Sequence, residues 1–287
     1  MRVDIGEGVK LYVDIDGLGL VPVDGELVER PTVLLLHGGP GLDHADFKLG
    51  MVSLRDVAQV VVYDHRGHGR SDWRDSSEWN LDTWADDIVR LCDALEIEQP
   101  IVVGHSFGGY VAQRYIDRHP QHPGGVVLSS TVARLDRPAV YDMFERLGGT
   151  EAREVATRFW TDPTPAHVDE YRTVCGPLYT QAPGNMFEKV ANIRNPDMFP
   201  HWIAGEAPLF DFRAGLAKTC CPVLVMAGDL DPVSPIVSAE EMVASMPAEY
   251  VQFERFAECG HGVFRDDPDT SMALLREFIS AAPRQAA

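Results

Sequence analysis

The chain has 287 residues, of which 45% are hydrophobic and 24% charged, and a formal net charge of −19. That length suits one large mixed domain carrying an insertion, and the balance of apolar and charged residues excludes a disordered or fibrous chain. The acidic surplus argues against a nucleic-acid binder, which needs Lys and Arg to neutralise phosphates, and against anionic membrane surfaces; its expected role is a solvated, self-repelling surface.

The opening run, MRVDIGEGVKLYVDIDG, has no apolar stretch of signal-peptide length, and no later stretch is long enough to span a bilayer, so a cytoplasmic protein without membrane contact is expected. Strands are expected at residues 9–14 and 32–36, the second running into LLLHGGPG, and at 57–63, which runs into DHRGHGRS. A helix is expected at 81–95, where Trp84, Ile88, Leu91 and Leu95 form one apolar stripe. Asp82, Asp86 and Asp87 put negative charge near its N-terminus, where the helix dipole favours it. Strand 101–103 passes without a loop into Gly-His-Ser-Phe-Gly and a helix at 107–118, and strand 126–129 follows.

From Thr131 to Phe212 the alternation stops. Turn residues and aromatics crowd helical fragments, and a segment this long is read as a helical cap rather than a structureless loop. Alternation resumes with strand 223–227, helix 238–245, strand 250–256 and helix 270–281, ending in a frayed APRQAA tail. Strands alternating with helices predict right-handed crossovers and a mostly parallel sheet. Cys92, Cys175, Cys220, Cys221 and Cys259 are odd in number and lack Cys-x-x-Cys spacing, so they read as thiols in a reducing compartment.

The strand-to-helix junction carries the chemistry. Gly104-His105-Ser106-Phe107-Gly108 fits the G-x-S-x-G turn, in which glycines let two backbones pass closely while the serine hydroxyl projects at a helix N-terminus. A serine needs a base, and the base an orienting acid, in the chain order Ser, Asp or Glu, His. GDLDP, after one late strand, offers Asp229 and Asp231; CGHGV, after the next, offers His261 between two glycines. Both fall at strand C-termini, the edge where open α/β sheets bind ligands.

With these residues in place the chain resembles the α/β-hydrolase superfamily over nearly its full length, and HGGPG with DHRGHGRS resembles its proline-iminopeptidase branch. The resemblance implies an α/β-hydrolase fold, a core of residues 1–130 and 213–287, and a helical cap at 131–212. It selects Asp231, three residues after Gly228, as the acid, with Asp229 the alternative. It also implies an oxyanion hole from the backbone N–H groups of Gly39 and Phe107, with His37 in a structural role.

Serine at the elbow argues against alkyl-enzyme chemistry, which needs a carboxylate nucleophile, and leaves acyl transfer. The expected activity is hydrolysis of a small carboxylic ester or amide. Proline iminopeptidase action on short peptides is the alternative, although Pro232 stands where some of those peptidases carry Glu, and their usual elbow is Gly-Gly-Ser-Trp-Gly. Glu188 and Glu206 are the cap carboxylates open to a substrate ammonium, and Trp160, Phe187 and Trp202 the aromatics expected to line the pocket. A non-catalytic ligand receptor of the same fold is the alternative of another class. His65 and His68, like His119 and His122, lack a ligand cluster for a metal, and no phosphate-binding glycine loop predicts a nucleotide, so no cofactor is expected. Oligomeric state is not legible.

Overall fold

The computed structural model describes residues 1–182 and 191–282. Its centre is an eight-stranded sheet in the order β1-β2-β6-β5-β7-β8-β9-β10. These strands are β1 (Arg2–Asp4), β2 (Lys10–Asp16), β5 (Thr32–Leu36), β6 (Gln59–Tyr63), β7 (Ile101–His105), β8 (Gly125–Ser129), β9 (Val223–Gly228) and β10 (Val251–Phe256). β1 and β2 run antiparallel at one edge, and every pairing from β6 to β10 is parallel. A separate hairpin, β3 (Leu20–Val23) with β4 (Glu26–Glu29), lies outside the main sheet.

Alternation along each strand divides the core in two. Leu34, Val61, Val102, Val126 and Val225 face one cluster, while their neighbours Leu35, Val62, Val103, Val127 and Leu224 face the other. Successive strand side chains point to opposite faces, and both faces of the central strands β5 to β9 are covered, so these strands are largely apolar. The first cluster packs against α2 (Leu81–Leu95) and α3 (Phe107–Arg118) through Trp84, Ile88, Val111 and Tyr115. The second packs against α1 (Ala45–Met51) and α10 (Pro268–Ala281) through Phe47, Met51, Leu275 and Ile279. Asn80 accepts the Thr83 N–H at 2.9 Å and starts α2, and Asp267 accepts the Thr270 N–H at 3.1 Å near the start of α10.

Between β8 and β9, the described residues hold α4 (Arg137–Thr161), α5 (Pro165–Val174), α6 (Met198–Ala204) and α7 (Arg213–Leu216), and no strand. α4 bends at Gly149, whose φ of 74° a residue with a side chain rarely adopts. α8 (Ile236–Val243) follows β9, and the short α9 (Val263–Asp266) follows β10. Among the described residues, no helix is long and apolar enough to cross a membrane.

Candidate active site

Ser106 sits between β7 and α3 with φ 53° and ψ −116°, a strained conformation for any residue other than glycine. The neighbouring glycines permit it. A Cβ on Gly108 would lie 2.1 Å from the Leu36 carbonyl oxygen, and one on Gly104 would lie 2.6 Å from the Gly108 carbonyl oxygen. The Ser106 N–H donates to the Ser129 carbonyl at 2.9 Å, continuing the β7–β8 ladder into the turn.

The hydroxyl so presented is 2.9 Å from Nε2 of His261. Nδ1 of the same ring lies 2.9 and 3.0 Å from the two carboxylate oxygens of Asp231. Asp231 is fully buried, and its Oδ1 also accepts the N–H groups of Val233 and Ser234, each at 2.8 Å. Asp229 points elsewhere: both its oxygens pair with Arg255 at 3.1 Å, out toward solvent. The structure therefore brings Ser106, His261 and Asp231 into one chain of contacts and leaves Asp229 outside it.

Gly39 follows β5, whose Leu36 is in register with Gly104 of β7, so its loop lies beside the serine turn. The N–H of Phe107, the first residue of α3, has no acceptor within the helix by helix geometry, and the positive end of the helix dipole lies there. His37 organises this loop from below. The His65 backbone N–H must donate to His37 Nε2 (3.2 Å), so the ring proton is on Nδ1 and is given to the Gly38 carbonyl (2.7 Å). Burial pushes the His37 pKa down and that of His65 well down, and takes His68 to about 3, so these rings are neutral. His65 and His68 pack against His37 and Phe107 in this buried stack.

Two cavities meet at Ser106 and His261. The smaller, about 100 Å³, is walled by aromatics including Tyr110, Phe159, Trp160, Phe199 and Trp202. The larger, about 340 Å³, has an apolar floor of Leu42, Phe47, Met51 and Phe264, with Asp43, Asp46 and Arg265 also on its wall. Trp160 and Trp202 thus line the smaller cavity, and Trp202 is also core, stacked on Tyr110 and edge-on to Phe107. Glu206 lines neither cavity as described. Its carboxylate accepts the Leu81 N–H at 2.8 Å at the start of α2, and burial raises its pKa despite that bond. Phe187 and Glu188 lie outside the described residues.

Sequence reasoning missed several residues of the site. Tyr179 lines both cavities, sets its ring edge-on to His261 at 5.2 Å, and gives its hydroxyl to a 2.7 Å bond with Tyr171. His105 lines the larger cavity, and burial pushes its pKa well down. His44 lies 2.7 Å from Asp64 and 3.2 Å from Asp14, and Asp64 also accepts the Arg70 N–H at 2.7 Å, tying the loop after β5 to the loop after β6. His44, Asp64 and Arg70 are signalled in the sequence only by their place in HGGPGLDH and DHRGHGR, the two loops already marked by glycines; His105 lies inside the G-x-S-x-G turn, and Tyr179 stands in no motif.

The fold and this constellation define a class. The sequence model of the alpha/beta hydrolase fold family matches residues 31–268, and the chain belongs to that family. Within it, the chain is 25% identical over 296 residues to the proline iminopeptidase of Lactobacillus helveticus (strain DPC 4571), covering 89% of this chain and 92% of the relative. The proline iminopeptidase of Levilactobacillus brevis is 27% identical over 267 residues, covering 87% and 88%. The solved proline iminopeptidase of Mycobacterium smegmatis superposes with a TM-score of 0.75 at 20% identity, covering 98% and 97% of the two chains. An esterase from Exiguobacterium antarcticum superposes with a TM-score of 0.70, also at 20% identity, covering 98% and 99%. The chain is a hydrolase of the α/β fold, in the branch that resembles proline iminopeptidases.

Proposed function

We propose that this hydrolase cleaves a carboxylic ester or amide of a small substrate through an acyl-enzyme on Ser106. The observation that carries the reading is the unbroken contact from Ser106 Oγ through His261 to buried Asp231. His261 Nε2 takes the hydroxyl proton as Oγ attacks the carbonyl carbon, and returns it to the leaving oxygen or nitrogen. Asp231 accepts a hydrogen bond from Nδ1–H, fixing the tautomer and favouring the imidazolium. The N–H groups of Gly39 and Phe107 receive the charge that develops on the carbonyl oxygen. Water, deprotonated by His261, then releases the acid.

The helices between β8 and β9 act in this reading as a cap, residues 131–212, on a core of 1–130 and 213–287. Their aromatics give the smaller cavity a wall with no Asp, Glu, Lys or Arg among its described lining residues, suited to a short apolar group. That lining favours an ester or amide without an ammonium at this end. The second reading, proline iminopeptidase, is favoured by the sequence relatives. It needs a carboxylate for the substrate ammonium: Glu206 is already engaged with Leu81, and Asp43 and Asp46 are the carboxylates that line the larger cavity.

A fluorophosphonate probe tests the chemistry: stoichiometric labelling of Ser106, and loss of turnover by about 10⁴-fold or more in Ser106→Ala, are expected. An unreactive serine in the folded protein would indicate a binding module. Short acyl p-nitrophenyl esters compared with proline p-nitroanilide separate the two enzyme readings; faster turnover of the anilide overturns the preference for esters and small amides.

A further inference from the structure

His261 lies on the loop after β10, and that loop is held by more than its own strand. The His261 N–H donates to the Tyr179 carbonyl at 2.7 Å, across from the segment between β8 and β9. The side chain of Asp266, at the end of α9 and only 1% exposed, accepts on both sides of the same junction. Its Oδ2 takes the Gly260 N–H at 2.7 Å on the histidine loop and the Gln181 N–H at 3.1 Å opposite; its Oδ1 takes the Thr180 hydroxyl at 2.5 Å. The approach is close enough that a Cβ on Gly260 would lie 2.5 Å from the Tyr179 carbonyl oxygen.

Resting on the serine-hydrolase reading above, we propose that Asp266 is a positioning residue that clamps residues 179–181 to the histidine loop, so that the placement of His261 depends on the placement of that segment. One buried carboxylate is the shared acceptor for the residue preceding His261 and for two residues of the facing segment. Loss of either set of donors leaves a buried carboxylate under-satisfied, which favours letting go of both. Tyr179 extends the linkage: its carbonyl holds the His261 backbone, its ring packs against the His261 ring, and its hydroxyl bonds Tyr171 on α5. Movement of α5 and the segment after it therefore reaches the base directly.

The test is a double-substitution cycle in the full-length chain with Thr180→Val and Asp266→Ala, assayed on p-nitrophenyl butyrate. A displacement of the ring on the order of 1 Å costs about 10²-fold in turnover. Asp266→Ala is therefore expected to lower kcat by about 10- to 100-fold with KM changed much less, and to slow fluorophosphonate labelling of Ser106 in parallel. Thr180→Val is expected to lower kcat by a smaller factor, and the double variant to be no slower than Asp266→Ala alone, since both act through one clamp. Multiplying effects, or a lowered Tm with kcat unchanged, overturn the proposal. If Asp266→Ala does not fold, Asp266→Asn and Thr180→Val carry the same cycle and the same readout. A wild-type protein that neither turns over ester nor reacts at Ser106 refutes instead the hydrolase reading on which the clamp rests.

Discussion

Replacing Asp231 with Asn separates the role of the acid from its packing. The backbone N–H groups of Val233 and Ser234 both donate to Oδ1, so the carboxamide must keep its oxygen there. Its NH₂ then falls at the Oδ2 position, 2.9 Å from His261 Nδ1, and donates. Nδ1 has to accept, the ring proton moves to Nε2, and Nε2 faces Ser106 Oγ at 2.9 Å as a donor. The base is lost while the hydrogen-bond pattern survives. The expected fall in kcat is about 10⁴-fold, equivalent to about 5.4 kcal/mol of barrier, with Tm close to wild type. Initial rates on p-nitrophenyl butyrate and a thermal melt measure both. Asp229→Asn is the control: its partner Arg255 forms a surface ion pair worth about 0–1 kcal/mol, and turnover is expected to stay within a few-fold of wild type. An Asp231→Asn protein that folds and turns over within tenfold of wild type refutes the assignment, as does a larger loss in Asp229→Asn.

Gly108→Ala drives a methyl against backbone, 2.1 Å from the Leu36 oxygen and 2.6 Å from its carbonyl carbon, so β5 and α3 must part; a loss of about 1–3 kcal/mol or more in a denaturant melt, with Ser106 labelling slowed, is expected. Trp160→Leu enlarges the smaller cavity, and the ratio of kcat/KM for hexanoate over acetate p-nitrophenyl ester is expected to rise about tenfold. His44 gives a pH signature. Burial opposes its charge, but bonds and charges from Asp64 and Asp14 outweigh that and raise its pKa above the usual 6.5. A raised folded-state pKa means the stabilisation is complete below the unfolded value and is lost as pH rises through the folded one. Tm is therefore expected to fall from pH 6 to 8, and His44→Gln to flatten that slope; an unchanged slope refutes the pairing.

Legibility in the sequence followed locality. Helix α2 was readable to its ends because Asn80 caps it and the stripe from Trp84 to Leu91 faces one core cluster. Strand β7, the serine turn and α3 were readable because the glycines are adjacent to the residues they serve, within one or two positions of Ser106. The pair β3 and β4 was missed despite an Asp24-Gly25 turn, because its side chains are largely exposed and carry no buried face. Edge strand β1, three residues long, offers too few positions for a period. The choice between Asp229 and Asp231 needed the fold: whether a carboxylate meets Arg255 or His261 depends on how the chain turns after Gly228, which spacing alone does not contain. The same holds for Glu206, whose partner Leu81 lies far away in the chain, and for His44, whose acids come from the separate strand β2 and the loop after β6.

The geometry of the sheet explains why the histidine needs outside support. Neighbouring strands lie about 4.8 Å apart, so the serine at the end of β7 and the acid beyond β9 are separated by two such spacings, with β8 between. The His261 imidazole spans that gap, touching both residues, and its loop leaves β10, one strand further out. The serine is fixed by ladder and steric contacts within the core, through Ser129, Gly104 and Gly108. The acid is fixed by the backbone of its own turn. His261 reaches back across the sheet, and its loop is tied by the Tyr179 carbonyl and the Asp266 carboxylate, contacts in which the segment between β8 and β9 takes part. Of the three residues, His261 is thus the one whose loop is tied to the segment between β8 and β9, and a proton-transfer group has to stay within hydrogen-bond reach of the proton it moves.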